Sequence, residues 1–138
     1  MNQIEEQEKK LIEEFEFLGD WMEKYEYIID LGKELEPMAE SLKTESNKIK
    51  GCQSQVWLFP SKKDGEIHFS ADSDALITKG IIALLLRVIN HQEASAIAAY
   101  DFRFVDAIGL KEHLSPNRSN GLVSMIKQIK LYALALQN

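Results

Sequence analysis

The sequence predicts an α+β fold: a small antiparallel β-sheet packed against several α-helices. Apolar residues recur at helical spacing near both ends of the chain, a single stretch near the middle alternates polar and apolar residues about a turn, and strands do not alternate with helices along the chain. At 138 residues the chain can build one hydrophobic core, and residues 1–138 read as a single domain without repeats or low-complexity segments.

The elements follow in order. Ile4, Leu11, Phe15 and Leu18 sit at helical spacing among Glu and Lys, and Gly19 is a natural stop. Asp20, with Glu23 three residues on, reads as the amino-terminal cap of a second helix. That helix carries Trp21, Tyr25, Ile28 and Ile29 inward and is expected to end at Gly32 and Pro37. Residues 37–50 lose the apolar rhythm and read as a loop with a poorly formed helical turn. Val56-Trp57-Leu58-Phe59, the turn Lys63-Asp64-Gly65 and Glu66-Ile67-His68-Phe69 then form a hairpin with Ile67 and Phe69 facing the core. Asp72-Ser73-Asp74 is expected to cap the next helix, whose run from Ile81 to Ile89 is apolar on nearly every side and so reads as the buried centre. Short helical pieces follow at 94–100 and 104–108, the second ended by Gly109. Ser115-Pro116 starts a last helix striped with Leu122, Ile126, Ile129, Ala133 and Leu136.

Charge and composition narrow the function. The net charge is −6, with fourteen acidic and seven basic side chains in the first 50 residues, so the acidic third reads as a solvated helix face. No basic stripe is visible beyond Lys127 and Lys130, which argues against nucleic acid as a partner. The acidic start has no apolar signal region, and the longest apolar run, 81–86, is far below the ~20 residues that span a bilayer. A soluble, cytoplasmic protein without a membrane partner is expected.

Candidate chemistry centres on Cys52, the only cysteine, in Lys48-Ile49-Lys50-Gly51-Cys52-Gln53-Ser54-Gln55. A structural cysteine ordinarily has apolar neighbours, whereas these are glycine, glutamine and lysine. The residues alone leave a reactive thiol and an inert one both open. If residues 48–52 run extended, Lys48 and Lys50 share the face of Cys52 and favour its thiolate. Gly51 would act as the hinge of the loop, and Gln53 completes the immediate environment. No metal site is expected, because His68, His91 and His113 are scattered in sequence and His68 reads as the solvent side of its strand. A cysteine hydrolase would need a histidine base, and nothing local supports His68 or His113 in that part. There is no glycine-rich phosphate loop and no nucleophile elbow. Trp21, Trp57, Tyr25 and Phe15 read as core.

Gly51-Cys52-Gln53-Ser54-Gln55-Val56-Trp57 resembles the signature of the SufE family, the sulfur acceptors of iron–sulfur cluster assembly. Tyr27-Ile28-Ile29-Asp30-Leu31-Gly32, then Asp72-Ser73-Asp74-Ala75 with Lys79-Gly80, and His113-Leu114-Ser115-Pro116-Asn117-Arg118-Ser119-Asn120-Gly121-Leu122 agree with it in the same order. The resemblance implies a fold similar to the IscU-type scaffolds. It also implies that Cys52 takes sulfane sulfur, as a persulfide, from a SufS-type cysteine desulfurase and passes it to a cluster scaffold complex. It implies a stimulated desulfurase and no cofactor of the chain's own, the pyridoxal phosphate belonging to the partner. Arg118 matches the arginine of the Ser-Pro-x-Arg-Ser segment, near the cysteine loop or the desulfurase contact. The first dozen residues and Phe59-Pro60-Ser61-Lys62-Lys63 fall outside the pattern. The alternative from a different class is a scaffold that assembles clusters itself, which is built mainly from several thiolates where this chain has one.

Overall fold

The computed structural model describes residues 3–137. Two helices open the chain, α1 (Gln3–Phe17) and α2 (Trp21–Lys33). The break between them is written locally: the Asp20 carboxylate accepts the Glu23 N–H, and the Glu23 carboxylate reaches back to the Gly19 N–H, both at 3.0 Å. Residues 37–50 hold two isolated 3₁₀ turns, Glu40–Leu42 and Glu45–Asn47, as expected of a loop that starts helical turns without sustaining them.

Strands β1 (Val56–Lys63) and β2 (Glu66–Ser73) form an antiparallel hairpin in register from Val56 opposite Ser73 to Lys63 opposite Glu66. Its two-residue loop, Asp64-Gly65, has φ of 52° and 82°, the left-handed pair that matches strand twist. Ile67 and Phe69 face the core as expected. The strands run several residues beyond the sequence expectation, and a two-residue β3 (Gln92–Glu93) pairs with the outer edge of β2, giving the order β1-β2-β3. Between β2 and β3 lies α3 (Leu76–Ile89), buried without interruption from Gly80 to Leu86. Short helices α4 (Ala94–Ala99) and α5 (Phe104–Ala107) lead to α6 (Pro116–Ala135), capped by the Ser115 hydroxyl with Pro116 in its first turn. Helix α3 packs against α1, α2, α6 and β2 and forms the centre of the core.

Three expectations are corrected. Helix α2 ends at Lys33, between the two residues expected to mark its end, but Gly32 is not its cap: it lies in the last helical turn, where a Cβ would sit 2.8 Å from the Gly80 nitrogen. A Cβ on Gly80 would meet the Ile28 carbonyl oxygen at 2.3 Å, so the pair lets the α2 and α3 backbones touch. Secondly, Asp72-Ser73-Asp74 does not supply the cap of α3. Ala75 holds that position without a side-chain bond, because β2 continues to Ser73 and its side chains are used elsewhere. Asp72 takes Lys43 at 2.7 Å and Lys79 at 3.3 Å, which tie the 37–50 segment to the sheet. Burial opposes the charge on Asp72, but these lysines and the Ser73 N–H hold its carboxyl below the ordinary range.

Thirdly, the acidic amino-terminal third is not solvated throughout. Glu8 is buried and accepts the Tyr100 hydroxyl and, at 3.2 Å, the Phe104 N–H, pinning the segment between α4 and α5 to α1. Glu14 pairs with Arg87 at 2.6 Å and accepts the Tyr27 hydroxyl, and the Arg87 bond holds its carboxyl below the ordinary value.

Gly80→Ala is expected to lower stability by about 1–3 kcal/mol, the usual range for overpacking. The atom met is backbone and cannot rotate away, which places the effect at the upper end. A reduced urea midpoint at unchanged slope would show it; an unaltered midpoint would refute the close α2–α3 contact.

Candidate functional site

Cys52 lies in a loop closed at its base by the Ile49 N–H bonding the Val56 carbonyl at 2.8 Å and by a bridge between Lys48 and Trp57. Gln55 fastens the other end. Its N–H and side-chain amide donate to the Asp74 carboxylate at 3.0 and 3.2 Å, and its carbonyl accepts the Ser73 hydroxyl at 2.8 Å. The tip, residues 50–54, is laid on the first half of α6.

Asn117, Gly121 and Ser124 recur at three- and four-residue spacing and so share the face of α6 that the tip covers. The Asn117 amide donates to the Gln53 side-chain oxygen at 3.0 Å. The Cys52 thiol donates to the Gly121 carbonyl at a sulfur distance of 3.6 Å. A Cβ on Gly51 would meet the Ser124 hydroxyl at 2.4 Å, and Gly51 has φ of 92°, so this position requires glycine twice over. A Cβ on Gly121 would come to 3.5 Å from Sγ, ordinary contact distance, so the thiol packs directly against the helix at this position.

Cys52 is half-buried on a pocket of about 330 Å³ that includes Ser54, Thr78, Ile81, Ser115 and Arg118. Among the described residues, Arg118 is the only charged one in its lining. Its backbone N–H meets the Ser115 cap at 3.3 Å, and its guanidinium makes no ion pair or hydrogen bond among the described residues.

Of the residues singled out in the sequence, Cys52, Gln53 and Arg118 line this pocket together. Gly51 forms the turn that delivers the cysteine. Lys50 is exposed on that turn, and Lys48 is taken by Glu45 at 2.6 Å. The extended stretch expected over 48–52 is broken at Lys50-Gly51, so the lysines do not share the thiol's face. The electrostatics change accordingly: burial pushes the Cys52 thiol above its ordinary value, and no cation offsets it. No histidine lines the pocket; His113 is stacked on Trp21 at 3.9 Å between centroids.

Sequence reasoning missed Asn117, Gly121 and Ser124 as the seat of the loop. A signal existed, since a glycine inside a helix costs about 1 kcal/mol relative to alanine and calls for a packing reason. The arrangement can hold a neutral thiol half out of water, on a pocket that Arg118 also lines, with space for a small added group.

Comparison with known proteins places this geometry in context. The family model SufE, described as an Fe-S metabolism associated domain, matches residues 9–133. An uncharacterized SufE-like protein of Rhizobium etli is 46% identical over 126 residues, covering 88% of this chain and 85% of that protein. Similar proteins occur in Rhizobium meliloti, 42% identical over 88% of this chain and 90% of the relative, and in Synechocystis, 37% identical over 93% and 80%. The solution structure of a hypothetical protein from Thermus thermophilus has a TM-score of 0.79 at 17% identity, covering 94% of this chain and 95% of that one, a likeness of fold. The chain belongs to the SufE family and so has a role in iron–sulfur metabolism.

Because the folded thiol titrates above its ordinary value, its alkylation by iodoacetamide is expected to rise with a midpoint above the ~8.5 of an unperturbed cysteine. The linked effect on stability has a definite sign. The folded state keeps its proton longer, so the contribution is complete below the unfolded thiol's pKa and is lost as pH climbs through the folded one. Cys52→Ser should remove that alkaline loss; an alkylation midpoint at or below the ordinary value would contradict the buried neutral thiol.

Proposed function

We propose that this SufE-family chain is a sulfur carrier. Cys52 accepts a sulfane sulfur from a SufS-type cysteine desulfurase, holds it as a persulfide, and passes it to a cluster scaffold complex. The observation that carries this reading is the placement of the chain's only thiol on a pocket with room for another sulfur and one uncommitted cation.

The chemistry balances without an added oxidant or reductant. The Cys52 thiol gives up its proton, and its sulfur attacks the outer sulfur of the donor persulfide. A new S–S bond forms on Cys52, the donor S–S bond breaks, and the donor sulfur leaves as a thiolate that takes up a proton. The thiol's resting state opposes this step, since it is neutral, half-buried and hydrogen-bonded to Gly121. The loop therefore has to leave its seat on α6, and a partner favours the presented form through its own contacts. Resting burial in turn protects a loaded persulfide from solvent-borne reductants and oxidants.

Arg118 supports the same reading as the contact that binds the partner. A guanidinium on the rim of the cysteine's pocket, unpaired among the described residues, offers directional, charge-assisted bonds to a carboxylate. Lys50, exposed on the turn, and Gln53, held by Asn117, set the environment that the loop exchanges on moving. Assembly of a cluster on this chain alone is the weaker alternative, because cluster sites draw on several thiolates and there is one here.

Incubation with a SufS-type desulfurase and cysteine is expected to raise the intact mass by one sulfur atom, reversed by reductant. If Cys52→Ser gains the same mass, the sulfur is carried elsewhere and the proposal fails. Arg118→Ala should weaken the complex with the desulfurase at a nearly unchanged melting temperature. A large drop in melting temperature would instead make Arg118 a structural residue.

A further inference from the structure

Two histidines that lie far apart in sequence meet at the opposite end of α3 from Cys52. The β2–β3 register sets Ile67 opposite Gln92, so one step along it His91 falls opposite His68, and the two rings share a face of the sheet. The turn after α3 is held firmly in that place. Asn90 grips Phe69 with both ends of its amide, accepting the N–H at 2.6 Å and donating to the carbonyl at 3.3 Å. The His91 N–H then bonds the Ile67 carbonyl at 2.9 Å. His91 has φ of 63°, a left-handed conformation that histidine adopts more readily than most residues other than glycine.

The consequence is convergence. His68 Nδ1 and His91 Nε2 stand 3.0 Å apart. On the other side of the His68 ring, the Glu36 carboxylate lies 3.6 Å from Nε2. The pair opens into a concavity of about 510 Å³ between the end of α2, α3 and this sheet edge. Cys52 takes no part in it.

We propose that His68 and His91 bind one divalent transition-metal ion of the zinc, nickel or copper class, with Glu36 as the outer carboxylate. Two imidazole nitrogens at the usual ~2.0–2.1 Å from one ion stand roughly 2.9–3.4 Å apart at the usual bond angles. The observed separation falls within that window. The carboxylate completes the pattern: a ligating histidine ordinarily gives its other N–H to such a group, which fixes the tautomer and turns the free lone pair toward the ion. Here the Glu36 carboxylate stands 3.6 Å from Nε2, beyond direct hydrogen-bond length, and its charge favours the tautomer that keeps the proton on Nε2 and leaves the Nδ1 lone pair of His68 for the ion.

Without metal, the spacing fits one hydrogen bond between the rings. On binding, the His91 proton moves from Nε2 to Nδ1 and both facing nitrogens become ligands. Imidazole donors select borderline ions over magnesium or calcium, which prefer oxygen. No set of three His, Cys, Asp or Glu converges as a metal site among the described residues. The ion therefore keeps open positions for water or an incoming donor, and it exchanges rather than being locked in.

The test is calorimetric titration of zinc chloride into the full chain carrying Cys52→Ser, so that the thiol cannot contribute. One ion per chain is expected. His68→Gln and His91→Asn, the second chosen because asparagine tolerates the left-handed backbone, should each weaken binding at least ten-fold. Glu36→Gln should weaken it by about ten-fold, the lower end of the usual loss for an outer-shell partner. Ring resonances of His68 and His91 should shift on zinc addition while those of His113 stay in place. Isotherms unchanged by the His68 and His91 substitutions, or shifts confined to His113, would overturn the proposal.

Discussion

Helix α3 has almost no solvent side, and that constraint organises the molecule. A helix buried on nearly every face has to be covered on every face: α2 comes close enough for Gly32 and Gly80 to touch, β2 takes another side, and α1 and α6 close the rest. A concavity lies at each end of the helix. Cys52 sits at the amino-terminal end, beside Thr78 and Ile81, and the paired histidines sit at the carboxy-terminal end, beside Leu86 and Asn90. Both candidate sites thus flank the same buried helix.

The state of the thiol follows from how its loop is seated. Gly51 removes a side chain that would hold the loop off α6, so the sulfur settles against Gly121 in partial shelter and donates to its carbonyl. Desolvation then favours the neutral form, the opposite of what a nucleophile needs. A cysteine tuned for constant reactivity would carry a cation against its sulfur. Here Arg118 lines the same pocket and is unpaired among the described residues, but it does not offset the burial of the sulfur, and Lys48 is spent on Glu45. The arrangement stores reactivity rather than expressing it, which suits a residue that must act only when a partner has docked.

Much of the fold was legible because its signals are local. Asp20 with Glu23, Asp64-Gly65 and Ser115-Pro116 act through bonds to residues within a few positions, and each does what the sequence predicts. The misreadings share a different cause, in that each depends on a contact between distant residues. Gly32 reads as a terminator until Gly80 is beside it. Asp72 and Asp74 read as caps until Lys43 and Gln55 claim them. Glu8 reads as solvated until Tyr100 covers it. His68 and His91 read as unrelated, because β3 is only two residues long and leaves no alternating pattern to announce the pairing. At the site, Cys52 was legible from its uniqueness and polar neighbours, and its family from four motif blocks. The direction of the thiol's shift was not, since it depends on the turn at Gly51 and on a helix some seventy residues away.

Direct exchange between two sulfurs is tested most simply by a single-turnover transfer. A SufS-type desulfurase would be loaded with radiolabelled cysteine, freed of unreacted substrate, and mixed with this chain in equal amount without reductant. Label is expected to leave the desulfurase and appear on the Cys52 peptide in matching quantity, with little sulfide in solution. Label released as free sulfide, while Cys52 stays unmodified, would contradict it.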